Sequence, residues 1–348
     1  MSTRKEPNRT LGHLDSAALP SPGELASVTL DKPPGRVGWL GQQRTLFIPY
    51  VLILLLLAAA AVRAPGFISI PNLLQQLVLS SYLGVVAGGE TIVIITGGID
   101  LSVAWNLNLS AILLTQLSEH IPVALATVIA LGSASLVGLI NGLGIAYLRI
   151  PSLVMTLGMN AVLAGVTLVY TNGSPQGDAP LFARELAVGK IGGVFPWAIL
   201  FWIAFSAALI FLLRRTVFGR RLYAIGNNPK ASYLSGVPVR RVLVLTYTLC
   251  GLCAGIGGVM LTGYSAQSYL GMGDLYVLPA IAAVVIGGTS ILGGSGGYAG
   301  TIAGAITVVL LQNVLQIVGI QPAGQQILYG LIILLMLFVY GRNARVRE

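Results

Sequence analysis

Three carboxylates interrupt the long apolar runs of this sequence and are its first candidates for chemistry: Glu90, Asp100 and Asp274. A carboxylate at membrane depth is energetically costly, so by default it is a functional candidate, for example as a proton carrier. Asp100 also stands directly before an apolar run, in the segment TGGIDLS at 96–102. Because Asp is a good N-cap residue, we expect Asp100 to accept hydrogen bonds from the first amides of a following helix. We favour this capping role over a direct role in transport.

Other reactive residue types occur in patterns that favour no catalysis. The sequence has no phosphate-binding G-x-x-x-x-G-K-[ST], because its one Gly-Lys pair is followed by Ile191. His13 and His120 lie far apart, which favours neither a metal site nor a catalytic triad. Cys250 and Cys253 form C-x-x-C inside an apolar stretch, where packing explains them better than redox chemistry. We therefore predict no catalytic residue, no metal and no cofactor bound by this chain.

The elements that must position these residues are membrane helices. Hydrophobic residues make up 55% of the 348 and charged residues only 9%, against about 25% in soluble domains. Mean hydropathy is +0.85. This composition excludes a soluble enzyme, a disordered protein and a disulfide scaffold. The 44 glycines favour close helix packing in lipid. The sequence therefore predicts an all-α integral membrane protein.

Charge-free runs give the expected number of spans. A spanning helix needs about 20 mostly apolar residues, and the runs begin at residue 45. The last run, 275–341, is long enough for three passes if it breaks near 293–297 and 319–324. We predict about ten transmembrane helices in a membrane domain at 45–341. A polar N-terminal tail, 1–44, and a short C-terminal tail, 342–348, flank it.

The distribution of Lys and Arg predicts the orientation. With both termini in the cytoplasm, 17 of the 20 basic residues fall in inside segments, and Arg63, Arg184 and Lys190 fall outside. Cytoplasmic loops carry such a basic excess. The loop at 214–241 is then cytoplasmic and the loop at 172–196 is outside. The net charge of +9 therefore reflects membrane orientation and does not indicate nucleic-acid binding.

The basic loop contains the signals of a short helix. Asn228 is a good N-cap, Pro229 suits the first helical position and Gly236 suits the position just after the end. We predict a capped helix at 229–235, lying at the cytoplasmic face.

One side of this predicted helix is formed by Ala231 and Leu234, which are three residues apart. A capped cytoplasmic helix between basic flanks suits a docking surface. The alternative is a helix that rests on anionic lipid headgroups.

Glycines near the C-terminal end predict helix packing and hint at an internal repeat. Gly296, Gly300 and Gly304 recur every four residues, which is the spacing of a small-residue packing face. The segment VIITGGID at 93–100 resembles VVIGGTSI at 284–291. Transporter halves are often structural repeats, so we expect an internal pseudo-repeat.

Six segments in order resemble the ribose-type permease subunits of bacterial ATP-binding-cassette importers. They are TGGIDLS at 96–102, IPSLVMTLGMN at 150–160, VYTNGSP at 169–175, FGRRLYAIGNNPKASYLSGV at 218–237, AIAAVVIGGTSILGGSGG at 280–297 and QQILYGLIILLMLFVYGR at 325–342. The resemblance implies a multi-pass protein of the bacterial cytoplasmic membrane that imports a sugar or polyol. It implies three partners: a second permease, identical or not, a cytoplasmic ATPase that binds ATP and Mg, and a substrate-binding protein outside.

The resemblance also assigns a role to the cytoplasmic helix. Importers of this type carry a Glu-Ala-Ala-x-x-x-Gly motif that couples the permease to the ATPase. Here Lys230, Ala231 and Ser232 stand at the first three positions and Gly236 at the last. The charge of the first position is reversed, which implies a matched ATPase.

The transport pathway is expected between two permease copies. Uncharged polar residues are its candidates: Asn106, Asn108, Asn160 and Gln267. A neutral lining fits a neutral polyhydroxy substrate. Ribose-type members often carry acidic residues just before the Ala-Ile-Ala-Ala run, whereas this chain has only Asp274 slightly upstream. The identity of the sugar therefore does not follow from the resemblance.

Three other functions stay open at this point. One is an importer permease for nucleosides or branched-chain amino acids. Another is a proton-coupled secondary transporter that would use Glu90, Asp100 and Asp274 as proton carriers. The third is a passive channel, which would need no ATPase.

Overall fold

A computed structural model describes the backbone of residues 37–344, and the side chains of 49–64 and 66–338. The chain divides into a unit of residues 1–43 and a compact unit of residues 44–348. Most of the predicted N-terminal tail and the end of the C-terminal tail lie outside the described residues. The following description concerns the second unit, apart from the helix that begins at Val37.

Thirteen α-helices form the described part of the chain, with one very short hairpin. The helices are α1 Val37–Arg63, α2 Ile70–Ile95, α3 Val103–Ser118, α4 Val123–Tyr147, α5 Ser152–Tyr170, α6 Leu181–Val188, α7 Trp197–Arg215, α8 Val217–Asn227, α9 Pro229–Leu234, α10 Val239–Ser265, α11 Val277–Ile286, α12 Tyr298–Ile317 and α13 Pro322–Ala344. Strands β1 (Lys190–Ile191) and β2 (Phe195–Pro196) pair antiparallel, and 3₁₀ turns occupy Pro65–Ile68 and Asp274–Tyr276.

Six of the described helices are long and apolar enough to cross a membrane: α2, α4, α5, α7, α10 and α12. The predicted all-α membrane protein is thereby confirmed. The other predicted spans coincide with α1, α3, α11 and α13, of which α3 has 16 residues and α11 only 10. The number of about ten spans stays a prediction.

Helices α2 and α10 form the centre of the bundle. Helix α10 packs against α2, α3, α4 and α6, and α2 also packs against α7, α11 and α12. Every residue of α2 from Ser80 to Ile95 is buried. A helix that is apolar on all sides is stable only when it is surrounded. Glu90 of α2 therefore lies at the core of the protein.

A largely non-helical segment separates α10 from the short helix α11. Helix α10 ends at Ala266, whose φ is +64°. The following residues run back along α3: Ser268 Oγ lies 2.8 Å from Thr115 Oγ1, and Gly273 packs on the backbone of Ala104. Thr115 and Ala104 are about 16 Å apart along a helix. Helix α11 therefore begins deep inside the bundle, where irregular backbone is tolerated only if it is buried in protein or lines a cavity.

Gly300 and Gly304 lie on the face of α12 that packs against α11. A Cβ on Gly304 would overlap Ala283 O, and Gly300 lies against Gly287. Gly296 departs from the predicted face because α12 begins only at Tyr298. It lies instead in the preceding turn, with φ +113°, against Thr289.

Candidate functional site

A single residue joins helices α8 and α9 into a rigid corner. The Asn228 N–H donates to Ala224 O of α8 at 3.1 Å, while Asn228 Oδ1 accepts from the Ala231 N–H of α9 at 2.9 Å. Pro229 occupies the first turn of α9. The predicted N-terminal signals of this helix are confirmed. Because Asn228 caps both helices, α8 and α9 are expected to move as one body.

The other end of α9 is closed by glycine. Gly236 has φ +80° and its N–H donates to Tyr233 O at 3.0 Å. The Val237 N–H donates to Ser232 O, also at 3.0 Å. These two bonds form a Schellman motif, so the predicted role of Gly236 is confirmed. The helix ends at Leu234, one residue earlier than predicted.

Helix α9 exposes apolar side chains, although it is not one of the helices that could cross a membrane. Tyr233 is 71% and Leu234 78% exposed, and Lys230 and Ala231 are also exposed. Ser232 is the buried residue of the helix. Exposed apolar groups that cluster in a polar setting mark an interaction surface.

Two hydrogen bonds join the corner to the glycine-rich turn at 293–297, and a third joins that turn to the end of α2, just before the turn at 96–98. Tyr223 Oη of α8 donates to Gly296 O at 3.0 Å, and Asn227 Nδ2 donates to Gly294 O at 3.3 Å. The Gly294 N–H donates to Ile95 O, at the end of α2, at 2.9 Å. The loop at 214–241 and both turns therefore meet at one end of the bundle, as the charge pattern requires. Which membrane face this end occupies stays a prediction.

The two turns that resemble each other in sequence have the same local geometry. Each ends a helix with a glycine in the left-handed region, Gly97 at φ +82° and Gly288 at φ +85°. In each, the next residue donates to the carbonyl five positions back. The bonds are Gly98 N to Val93 O at 3.3 Å and Thr289 N to Val284 O at 3.2 Å. The likeness holds for these turns, while a repeat of whole halves stays a prediction.

Asp100 stabilises the turn before α3 and does not cap the helix itself. Its Oδ1 accepts from the Ser102 N–H at 3.0 Å and from Ser102 Oγ at 2.6 Å. Helix α3 begins at Val103, after Ser102, and has no side-chain cap. Ser102, the residue before α3, already has right-handed helical backbone angles. The Asp100 side chain therefore stabilises the turn before the helix, whereas we expected it to bind the first amides of the helix. Asn141 of α4 donates to Ser102 Oγ at 2.8 Å and extends this buried network.

Glu90 lies beside this network without a partner. Its carboxyl group is fully buried, and neither oxygen has a hydrogen-bond partner among the described residues. Neither Glu90 nor Asp100 forms an ion pair in that part of the chain. Asp274 is exposed, and its carboxylate accepts from the Trp105 side chain. Glu90 and Asp100 are neighbours, whereas Asp274 is exposed and has different contacts. The three carboxylates therefore do not form one proton relay.

Two of the predicted pathway residues tie helices together. Asn106 Nδ2 donates to Ala134 O of α4 at 3.0 Å. The Asn108 amide pairs with the extended segment after α10, with Nδ2 at 2.8 Å from Tyr269 O and Oδ1 at 3.3 Å from the Gly271 N–H. Both side chains are completely buried.

The other two predicted pathway residues lie elsewhere. Asn160 Oδ1 is 3.4 Å from the Trp105 N–H, on a half-buried side chain of α5. Gln267 is exposed, and its backbone forms a bridge with Asp178 of the loop at 172–196. The structure does not bring the four amides together around one cavity within a single chain.

A cavity that the sequence analysis missed lies between α2, α11, α12 and α13, and both apolar and polar residues line it. Its volume is about 180 Å³, and its polar lining comprises two tyrosines and four glutamines: Tyr276, Gln312, Gln316, Gln325, Gln326 and Tyr329. These glutamines were hidden inside the charge-free run 275–341. The spacing of Gln312 and Gln316, and of Gln325 and Tyr329, was the available signal, since residues four apart share one helix face.

Comparison with known proteins assigns a family. Residues 72–337 match the family described as "Branched-chain amino acid transport system / permease component". The ribose import permease of Escherichia coli (strain K12) is 38% identical over 86% of this chain and 94% of its own. The fructose import permease of Rhizobium meliloti is 31% identical over 82% of each chain. The galactose/methyl galactoside import permease of Escherichia coli (strain K12) is 32% identical over 82% of this chain and 90% of its own.

No solved structure matches this chain. The family match covers most of the described helices, from α2 into α13, and includes the α8–α9 corner, both glycine turns and the cavity. The three relatives are each more than 30% identical over at least 82% of this chain. The chain therefore belongs to the ribose-type permease subunits of ATP-binding-cassette importers.

Proposed function

We propose that this chain moves a neutral sugar or polyol inward by alternating access, with a separate ATPase docked on α9. Family membership supports the class of transporter, and the relatives are named for ribose, fructose and galactose. One observation carries the coupling role: α9, with its exposed apolar surface, is joined through α8 to the glycine-rich turn at 293–297, which is bonded to the end of α2.

The geometry offers a mechanical route from the ATPase to the bundle. Closure of an ATPase dimer on ATP and Mg would push α9, and the shared cap at Asn228 would pass that displacement to α8. Tyr223 and Asn227 of α8 hold the carbonyl oxygens of Gly296 and Gly294. The turn at 293–297 leads into α12, and its Gly294 N–H donates to Ile95 O, just before the turn that leads into α3. A shift of α8 would therefore act directly on α12 and, through this bond, on α3.

The charge of Lys230 sets an expectation for the partner. Its side chain is exposed at the start of α9, next to Ala231. We propose that the ATPase groove that receives α9 carries an acidic group opposite Lys230, and a space that admits only a small side chain at Ala231.

The remaining parts of the assembly are proposed from the family. A second permease would complete the pathway, and a binding protein outside would deliver the substrate. The chain would cross the bacterial cytoplasmic membrane about ten times, with both termini in the cytoplasm and lipid around its outer helices. Helix α5 buries only Thr156, Leu163 and Thr167 within this chain, so its other residues form a face for lipid or for the second permease.

The test uses the importer reconstituted in proteoliposomes with its ATPase and binding protein. Wild type should take up ribose, fructose or galactose only when ATP is present on the ATPase side. Ala231→Trp should abolish uptake and sugar-stimulated ATP hydrolysis and weaken pull-down of the ATPase, with membrane insertion unchanged. Ala124→Trp, at an exposed position of α4, is the matched control and should import normally.

Each other outcome points to another function. Normal import by Ala231→Trp would remove α9 as the coupling element. Uptake that survives ATP depletion but collapses with an uncoupler would favour the proton-coupled transporter, and uptake that needs neither would favour a channel. Uptake of leucine or a nucleoside without sugar uptake would favour the alternative importers.

A further inference from the structure

The cavity between α2, α11, α12 and α13 could hold a ligand smaller than a drug-sized molecule. Its volume of about 180 Å³ is below the ~300–1,000 Å³ of pockets for drug-sized ligands. Leu79 and Leu83 of α2 form one wall, and Tyr276 and Pro279 at the start of α11 form another. The short helix α11 begins deep in the bundle, so the cavity lies at membrane depth.

The lining selects for neutral ligands that carry several hydroxyl groups. Four primary amides from α12 and α13 line the cavity, and every amide offers both a donor and an acceptor. No Lys, Arg, Asp, Glu or His is among its lining residues. A charged ligand would therefore lose its hydration without gaining a counter-charge. Leucine, proline and valine side chains complete the walls and suit the C–H faces of a sugar ring.

The hydroxyl of Tyr329 is a buried polar group in the cavity wall. Tyr329 is 1% exposed, and its hydroxyl has no hydrogen bond of acceptable geometry among the described residues, although it faces the Gln312 side chain. Buried polar groups are nearly always satisfied, by protein, water or ligand. Of the four amides, the one at Gln325 is held to the protein, since Nε2 donates to Ile320 O at 3.2 Å. This bond fixes the α12–α13 connection beside the cavity.

The cavity is connected to the coupling corner through α11. Tyr276 and Pro279 line the cavity at one end of α11. The other end of α11 leads into the turn whose Gly294 and Gly296 accept from α8. Ten residues separate the two ends by about 15 Å. Discontinuous helices with such ends form the binding sites of other transporter classes.

We infer that this cavity is a substrate-binding pocket of the permease for a neutral monosaccharide or polyol, with Gln312, Gln325 and Tyr329 as its buried or half-buried polar contacts. The inference rests on the proposed function, because it names the site at which the imported substrate would contact this chain.

Protection from a thiol reagent tests the pocket on the purified permease alone. Gln326→Cys places a thiol at an exposed position of the cavity wall, and Ile327→Cys places one at the next residue, 67% exposed and outside the lining. The native Cys250 and Cys253 are buried, so the unaltered chain gives the background. Ribose, fructose and galactose are the probes, with leucine as the comparison.

At least one sugar should slow labelling of Gln326→Cys and leave labelling of Ile327→Cys unchanged. Adding Tyr329→Phe should raise the half-protecting sugar concentration roughly 2- to 10-fold, the value of one lost hydrogen bond. Gln312→Leu is the second variant should Tyr329→Phe fold poorly. Tyr50→Phe, on a side chain 54% exposed on α1, should leave the protection curve unchanged.

Three results would overturn the inference: no protection by any sugar, equal protection at Ile327→Cys, or protection by leucine in place of sugars. The uptake assay separates this failure from failure of the proposed function. If the reconstituted importer takes up sugar and the cavity is not protected, the importer stands and the pocket lies elsewhere. If sugars protect the cavity but no ATP-driven uptake occurs, the pocket stands and the importer does not.

Discussion

The contact between α8 and the glycine turns yields the sharpest test of how motion passes through this permease. Gly226 lies in the last turn of α8. A Cβ at this position would overlap the carbonyl oxygen of Ile95 and lie 2.5 Å from the Gly294 nitrogen. Those two atoms are joined by a 2.9 Å hydrogen bond. Gly226→Ala must therefore displace backbone from backbone, because no flexible side chain is available to give way.

The size of the effect follows from three contributions. Overpacking costs about 1–3 kcal/mol, and loss of the Gly294–Ile95 hydrogen bond costs about 0.5–1.5 kcal/mol. The helix propensity of alanine returns about 1 kcal/mol. The net destabilisation of the corner is then about 0.5–3.5 kcal/mol by these values. Gly132→Ala, at a helical glycine of α4 with nothing within 4 Å, has only the favourable contribution.

The assay compares the two alanine variants in the reconstituted importer. Gly226→Ala should lower the thermal unfolding temperature and reduce ATP-driven sugar uptake, while ATPase pull-down persists because the exposed face of α9 is unchanged. Gly132→Ala should match or exceed wild type in stability and import normally. Wild-type uptake by Gly226→Ala, at a wild-type unfolding temperature, would refute the transmission route through α8.

Four further outcomes are expected. Ser174→Cys, in the loop at 172–196, should react with an impermeant thiol reagent added from outside; reaction only after permeabilisation would reverse the orientation. Asp100→Asn should keep most import because an amide oxygen can still accept from Ser102, whereas Asp100→Leu should lose about 1–3 kcal/mol of stability, measured as unfolding temperature and yield. The Glu90→Gln variant should import normally, because Glu90 forms no ion pair in the described part of the chain. Loss of import in a well-folded variant would favour the proton-coupled alternative. Lys230→Glu should weaken ATPase pull-down, and the loss should vary with salt.

Features set by neighbouring residues were predictable. Asn228, Pro229 and Gly236 each act within four residues of their partners, so the caps of α9 could be derived from local chemistry. The break between α10 and α11 was not, because the whole run is apolar and charge-free. The bonds that hold it, from Asn108 and from Thr115, come from α3, more than 150 positions away in the chain.

The candidate site also has some features that the sequence predicted and others that it did not. The exposed surface of α9, for which we propose the coupling role, could be predicted because its residue types and spacing resemble a known family. The hydrogen bonds by which Asn106 and Asn108 join α3 to α4 and to the segment after α10 were not predicted, since the sequence alone does not distinguish an amide in a pathway from one that joins two elements. Their role in the pathway stays a prediction. The cavity was missed because glutamines of α12 and α13 converge only after both helices pack on α2 and α11.

By itself, the sequence determined the membrane class, the helical composition, the capped helix α9 and the family, because hydropathy, charge and capping act over short stretches of chain. Only the tertiary structure decided that Glu90 would stand unpaired beside Asp100, that α8 would hold the glycine-rich turn at 293–297, and that four glutamines and Tyr329 would enclose one cavity. Those arrangements depend on which helix faces meet, and close contact at glycines such as Gly226 and Gly304 sets how nearly they meet.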